Sequence, residues 1–176
     1  RIEDLTTEQL KDYPLEGTEE TIPEFMDLLT LYNGKAPLIV ELKPIDGNHA
    51  QLTETACKML ESYPGPYCLE SFDPRCIFWL KKNRPEIIRG QLASNFMKDR
   101  SGLSAPLAFL LTNLMCNFLT VPHFVAYRYS DRRNLCLRLS RKIWGVQEFS
   151  WTVTSARRAK KLRRDGSILI FEDFNP

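Results

Sequence analysis

Six short apolar runs alternate along this chain with six stretches whose apolar residues recur at helical spacing. The runs are "PLIVELK" (37–43), "YCLESF" (67–72), "EIIRGQL" (86–92), "HFVAYRY" (123–129), "FSWTV" (149–153) and "SILIFED" (167–173). The helical patterns cover 22–33, 48–63, 74–83, 105–118, 133–143 and 155–164. Strands separated by helices must lie parallel, because each crossover carries the chain back over the sheet before the next strand begins. Right-handed crossovers then allow an open doubly wound sheet or a closed barrel, and periodicity does not choose between them. No repeat, low-complexity segment or linker interrupts the pattern, so residues 1–176 read as a single domain.

Helix ends are marked in several places. Thr21 before Pro23, Asp73 before Pro74 and Thr154-Ser155 are suited to start helices, since a side-chain oxygen accepts from the free N–H groups of the first turn. Gly34, Gly65, Gly145 and Gly166 fall near helix ends, where a left-handed residue is favoured.

Polar residues gather at the C-terminal ends of the strands: Glu41 and Lys43, Glu70 and Ser71, Gln91, Arg128, Trp151 with Thr152, and Glu172 with Asp173. In a barrel those ends converge on one mouth, where chemistry is done. "APLIVELKPIDG" is the most informative of them. Side chains alternate across a strand, so Glu41 and Lys43 share a face and Leu42 points the other way. Opposite charges on the inward face of a buried strand are costly unless they meet a ligand, a metal or each other. An ion pair at a strand end and a ligand site are both consistent with that arrangement. Glu70 and Ser71 are neighbours on one strand, so at most one of them faces the mouth.

The composition excludes several functions. With 24 Lys and Arg against 22 Asp and Glu, the net charge of +2 gives no general attraction for nucleic acid. The basic run "RRAKKLRR" (157–164) is interrupted by Ala159 and Leu162, which with Ala156 lie at helical spacing; its cations belong on a solvated face, and no nucleic-acid partner is expected. Five scattered cysteines (Cys57, Cys68, Cys76, Cys116 and Cys136) have no paired C-x-x-C spacing and read as reduced thiols of a cytoplasmic protein. From 101 to 127 no Asp, Glu, Lys or Arg occurs, but Pro106 and Pro122 break the stretch and Asn113, Asn117 and His123 dilute it. A buried helix followed by a buried strand accounts for it without a membrane span.

The segments "TIPEFMDLLTLYNGKAPLIVELK", "YCLESFDPRCIFWLKKNRPEIIRGQL", "FSWTVTS" and "GSILIFEDFNP" together resemble the bacterial glycerophosphodiester phosphodiesterase family, in order and spacing, nearly end to end. The resemblance implies an α/β TIM (β/α)8-type barrel and metal-dependent hydrolysis of glycerophosphodiesters to glycerol 3-phosphate and an alcohol. In the family pattern a His-Arg-Gly motif and a later His-Asp supply two histidines, a Glu-x-Asp supplies two metal ligands, and the E-x-K strand follows. On that pattern Glu41 matches the metal-binding carboxylate, for Mg²⁺ or Ca²⁺; Lys43 matches the phosphate-side lysine, and Trp151 an aromatic lining the substrate pocket.

The sequence departs from the pattern. It holds no His-Arg-Gly, Glu-x-Asp or His-Asp, and its two histidines, His49 and His123, match no catalytic position. The last strand reads "IFED" where relatives carry Thr-Asp, which leaves Glu172 and Asp173 without an assigned role. The resemblance therefore implies an incomplete barrel of about six parallel βα units, lacking the first two, with no catalytic residue of its own and a weakly held or absent cation. Open strand edges at 37–43 and 167–173 would invite self-association, which makes a non-catalytic binding or assembly module the alternative.

Overall fold

The computed structural model describes residues 2–100 and 102–175. Six strands form one sheet in the order β1-β2-β3-β4-β5-β6, with helices alternating between them. They are β1 (Leu38–Leu42), β2 (Tyr67–Ser71), β3 (Ile88–Ala93), β4 (Phe124–Arg128), β5 (Gln147–Val153) and β6 (Ile168–Phe171). Each strand lies beside its predecessor and the pairs run parallel, the arrangement of an incomplete α/β barrel. The helices are α1 (Thr7–Leu10), α2 (Phe25–Tyr32), α3 (His49–Leu60), α4 (Pro74–Asn83), α5 (Ala105–Thr112), α6 (Asn117–Thr120), α7 (Leu135–Trp144) and α8 (Ala156–Arg164).

The chain divides into two compact units, Arg1–Leu38 with Ala56–Pro66, and Ile39–Thr55 with Tyr67–Pro176. In the smaller unit a capping box closes α1: Thr6 Oγ1 accepts from the Gln9 N–H while the Gln9 side chain accepts from the Thr6 N–H. The Tyr63 hydroxyl donates to the Ala36 carbonyl, and Leu38 N–H donates to Pro66 O at 3.0 Å.

The larger unit buries both faces of its sheet. On the helix side Ala93, Val125 and Tyr127 pack against Leu114 and Leu137. On the opposite face Leu92, Phe124 and Ala126 form a cluster joined by Cys68, Phe72, Phe149 and Trp151. Successive residues of β3 and β4 therefore go to opposite cores, which is why these strands read as continuous apolar runs. Phe124 stacks on Phe149 at 4.3 Å between ring centroids. Room for that stack is made by Gly90, the β3 partner of Phe124, where a Cβ would come within 2.1 Å of the Phe124 ring.

Three local expectations are corrected. The helix expected over 105–118 is two helices, because Leu114 takes a left-handed conformation (φ 57°) between α5 and α6. Thr21 does not cap α2; it bridges Pro14, and α2 begins after Glu24. Gly65 is not left-handed but a close approach, since a Cβ there would lie 2.8 Å from Gly34 Cα. Asp73 and Gly145 behave as expected, the first accepting from Arg75 N–H at 2.9 Å at the start of α4 and the second ending α7 with φ 63°.

Replacing Gly90 by alanine drives a methyl group into the Phe124 ring. The substitution is expected to lower stability by about 1–3 kcal/mol in urea denaturation, the usual cost of overpacking a core. Phe124→Leu should offset part of that loss, a coupling that a double-mutant cycle reads directly.

Candidate functional site

The strand ends carry the polar groups, and strand parity decides which reach a common space. On β1, Glu41 lies on the same face as Ile39, and Lys43 follows just past the strand end. Glu41 Oε2 and Lys43 Nζ form an ion pair at 3.4 Å, with the side chains 31% and 76% exposed. Much of that pair is in water, so it contributes little to stability by itself. It is a local arrangement of charge available to a ligand.

Glu70, on β2, sits beside this pair in a different environment. It is 4% exposed, and its Oε2 is buried without a hydrogen-bond partner. Burial, and then the charge of Glu41, pushes its carboxyl up to about 7. Cys68, two residues earlier on the same strand face, is pushed up to about 12 by burial and then by Glu70. Ser71 points the other way, and its hydroxyl donates to the Leu42 carbonyl at 2.7 Å, fastening the end of β2 to the end of β1. Of the two neighbours, Glu70 is therefore the one that meets Glu41. Alternation along β2 narrowed the choice to one of them; which one depended on the pairing with β1, which the sequence does not print.

Trp151 is half-buried on β5, and its indole N–H donates to the Ala126 carbonyl at 2.9 Å. Phe72 meets it edge-on at 5.5 Å between centroids, and the Arg128 guanidinium lies over its ring at 5.1 Å. Phe72 and Arg128, with Phe96, Leu103, Leu107 and Leu111, also line a cavity of about 780 Å³ beyond the ends of β2, β3 and β4. Its wall is largely apolar with a few charges at the rim, the composition of a small-molecule pocket.

Other strand-end residues are used elsewhere. Gln91 is buried on the Ala93 side, where its amide donates to the carbonyls of Ser71, Phe72 and Leu92, so it braces the strand ends and takes no place in the site. Glu172 and Asp173 are exposed after β6. His123 Nδ1 accepts from the Arg89 N–H at 3.2 Å and holds the entry to β4. His49 opens α3 with Nδ1 buried and unpartnered.

Among the described residues no group of three or more His, Cys, Asp or Glu side chains is placed to hold a metal ion. The two carboxylates of β1 and β2 are oxygen donors of the type that Mg²⁺ and Ca²⁺ take, and the unpartnered Glu70 oxygen lacks the positive partner a cation would be. The donor type fits such an ion, while water and a substrate would have to fill the rest of its shell. Also among the described residues, no helix is long and apolar enough to cross a membrane.

Compared with protein-family models and with curated proteins, the sequence matches none. Solved structures do match. A phosphodiesterase of Oleispira antarctica, in complex with the product sn-glycerol-3-phosphate, superposes with a TM-score of 0.62 at 20% identity, over 87% of this chain and 58% of that one. A glycerophosphodiester phosphodiesterase of Parabacteroides distasonis gives 0.68 at 14% identity, over 94% of this chain and 66% of that one. The chain thus has the fold of glycerophosphodiester phosphodiesterases and spans roughly three-fifths to two-thirds of the length of the structures it matches.

Glu70 makes stability depend on pH in a definite sense. Burial and the neighbouring Glu41 charge raise its folded-state carboxyl to about 7, well above the ordinary range of a glutamate, so the folded protein binds the proton more tightly. The resulting contribution is complete below the unfolded value and is lost as pH rises through the folded one. In EDTA, Glu70→Gln should match the wild type near about pH 4 and exceed its unfolding free energy by about 3 kcal/mol near about pH 8. Urea denaturation at both values checks this; equal stabilities at the higher pH would mean that no buried charge is relieved.

Proposed function

We propose that this chain supplies the phosphate side of a metal-dependent glycerophosphodiester phosphodiesterase, which hydrolyses glycerophosphodiesters to glycerol 3-phosphate and an alcohol. The observation that carries the reading is the Glu41–Lys43 pair at the end of β1, in a fold shared with enzymes of that activity. One of those enzymes holds sn-glycerol-3-phosphate.

In this reading Glu41 is a ligand of a divalent cation, Mg²⁺ or Ca²⁺. Bound there, the ion would polarise a phosphoryl oxygen. Lys43 presents a compact positive charge to a second phosphate oxygen, and its exposure leaves it free to reorient from Glu41 toward the phosphodiester anion. Trp151 and Phe72 form an aromatic wall that holds the glycerol or alcohol portion and thins the water around the phosphate. The cavity beyond Phe72 gives the alcohol its space.

Proton transfer is the missing half. His49 and His123 are the two histidines of the sequence, and His123 is committed to the backbone of Arg89. Within these 176 residues no side chain corresponds to the family's acid–base pair, so the chain by itself is proposed to be inactive. A cytoplasmic location, taken from the cysteine usage, belongs to the same proposal. None of the five cysteines is joined in a disulfide, and Cys57 and Cys76 are buried.

A non-catalytic assembly module is the second reading. It is favoured by the two ends of the sheet order, where Ile39 on β1 and Ile168 and Phe171 on β6 are exposed. Sedimentation of a clean monomer would count against it.

Glycerophosphocholine hydrolysis with added Mg²⁺ or Ca²⁺ tests the main reading. The 176-residue chain should give no rate above background. A longer chain with His-Arg-Gly, Glu-x-Asp and His-Asp motifs ahead of these residues should be active, and Glu41→Ala should lower that activity by about 100-fold or more. Full activity in the Glu41→Ala variant would overturn the assignment.

A further inference from the structure

We infer that Glu70 is a second carboxylate ligand beside Glu41, so that the ends of β1 and β2 form a two-carboxylate site for a hard divalent cation. The role of that ion in hydrolysis rests on the function proposed above; its binding does not.

The argument begins with what surrounds Glu70. Its residue surface is 4% exposed and Oε2 has no hydrogen-bond donor. A carboxylate that only structured the protein would be met by donors, because an unpaired buried charge costs several kcal/mol, roughly, even after relaxation. The fold meets that need elsewhere. Glu148, fully buried on β5, receives Arg132 Nε at 2.8 Å, Arg141 Nη1 at 2.5 Å and the Ser150 hydroxyl at 3.0 Å. Nothing of this kind is provided at Glu70 Oε2.

The neighbour whose charge bears on Glu70 is another carboxylate, Glu41. Two acidic side chains at the ends of adjacent strands, one with an oxygen buried and unpartnered, are disfavoured as a structural device and suited to a cation held at those ends. The surroundings support this. Ser71 Oγ on the Leu42 carbonyl fixes the ends of the two strands against each other. Phe72, two residues further along the same strand face as Glu70, packs edge-on to Trp151 and puts apolar surface beside that end of β2. Lys43 is engaged with Glu41 at 3.4 Å and is mostly in solvent, so it does not replace the missing partner. Two carboxylates leave most of the coordination shell to water or to phosphate oxygens. That implies an affinity of about 10⁻³ M for the ion alone, the weak end of the range for oxygen sites.

Mn²⁺, which accepts the same oxygen donors, serves as the probe; its free aquo ion is counted by electron paramagnetic resonance in the absence of substrate. The wild-type chain should bind Mn²⁺, and Glu70→Gln and Glu41→Gln should each weaken binding by about tenfold or more. Glu172→Gln, at an exposed carboxylate past β6, should leave it unchanged. Far-ultraviolet circular dichroism melts in EDTA confirm that each variant is folded. Wild-type affinity in Glu70→Gln, or no binding by the wild-type chain at several millimolar, would overturn the inference. Loss of Mn²⁺ only in Glu41→Gln would leave the proposed function standing without Glu70, whereas failure of that function would appear in the hydrolysis assay and not here.

Discussion

A strand shows its side chains alternately to two sides, and in this sheet both sides must be covered. That constraint organises the molecule. On β4, Val125 and Tyr127 go to the helices while Phe124, Ala126 and Arg128 go to the other face. The same rule delivers Glu70 to the face of Cys68 and Phe72 and sends Ser71 to the backbone of β1. Chemistry is confined to the strand ends because the apolar cluster of Leu92, Phe124, Ala126 and Phe149 fills the space behind them. A polar group placed further back would lose its water and find no partner.

Where the alternation is disturbed, the disturbance lies beside the site. The β5–β6 pairing slips between Ser150 and Val153, the stretch that contains Trp151. Ser150 remains on the helix side, bonded to Glu148 and Ser167, while Trp151 turns to the other face and reaches the Ala126 carbonyl. Ordinary alternation puts Ser150 and Trp151 on opposite faces; the slip turns Val153, of the same parity as Trp151, to the side of α8, where it packs with Ala159 and Leu162. Arg128 then covers the indole, which brings a positive charge to the rim of the cavity while keeping its flat face on an apolar surface.

Much of this was legible in the sequence, for physical reasons. The number and order of the strands followed from the alternation of apolar runs and helical patterns, a signal that tertiary contacts reinforce. Element ends were legible where a side chain itself makes the cap, as at Asp73, and not where backbone geometry decides, as at Leu114 and Glu24. Charge-free apolar sequence on both sides of Leu114 gave no warning of the break. Gln91 was misplaced for a related reason: its polarity suggested the mouth, but parity sends it to the helix side, where backbone carbonyls accept from its amide nitrogen. Glu41, Lys43 and Trp151 are proposed on a family resemblance, whereas Glu70 required the partner strand. Its significance lies in what it does not touch, which no one-dimensional pattern records.

The contrast between Glu148 and Glu70 carries the functional argument furthest. Both are carboxylates on parallel strands of one sheet, and both are almost without exposure. Glu148 is neutralised within the fold by two guanidinium groups, and Arg132 extends that network to Asp165 at 2.5 Å. Hydrogen bonding to Glu148 is the largest influence raising the Arg132 guanidinium above its ordinary range, the direction a tight buried pair requires. On the helix side of the sheet the buried charge of Glu148 is therefore met within the fold. At the ends of β1 and β2 the balance is left open: a buried acid, a second acid half in water, and a lysine that screens only the latter. An arrangement that is costly when empty is one whose cost a positively charged ligand can relieve, so the same imbalance that lowers the stability of the ligand-free protein becomes affinity when the ligand arrives.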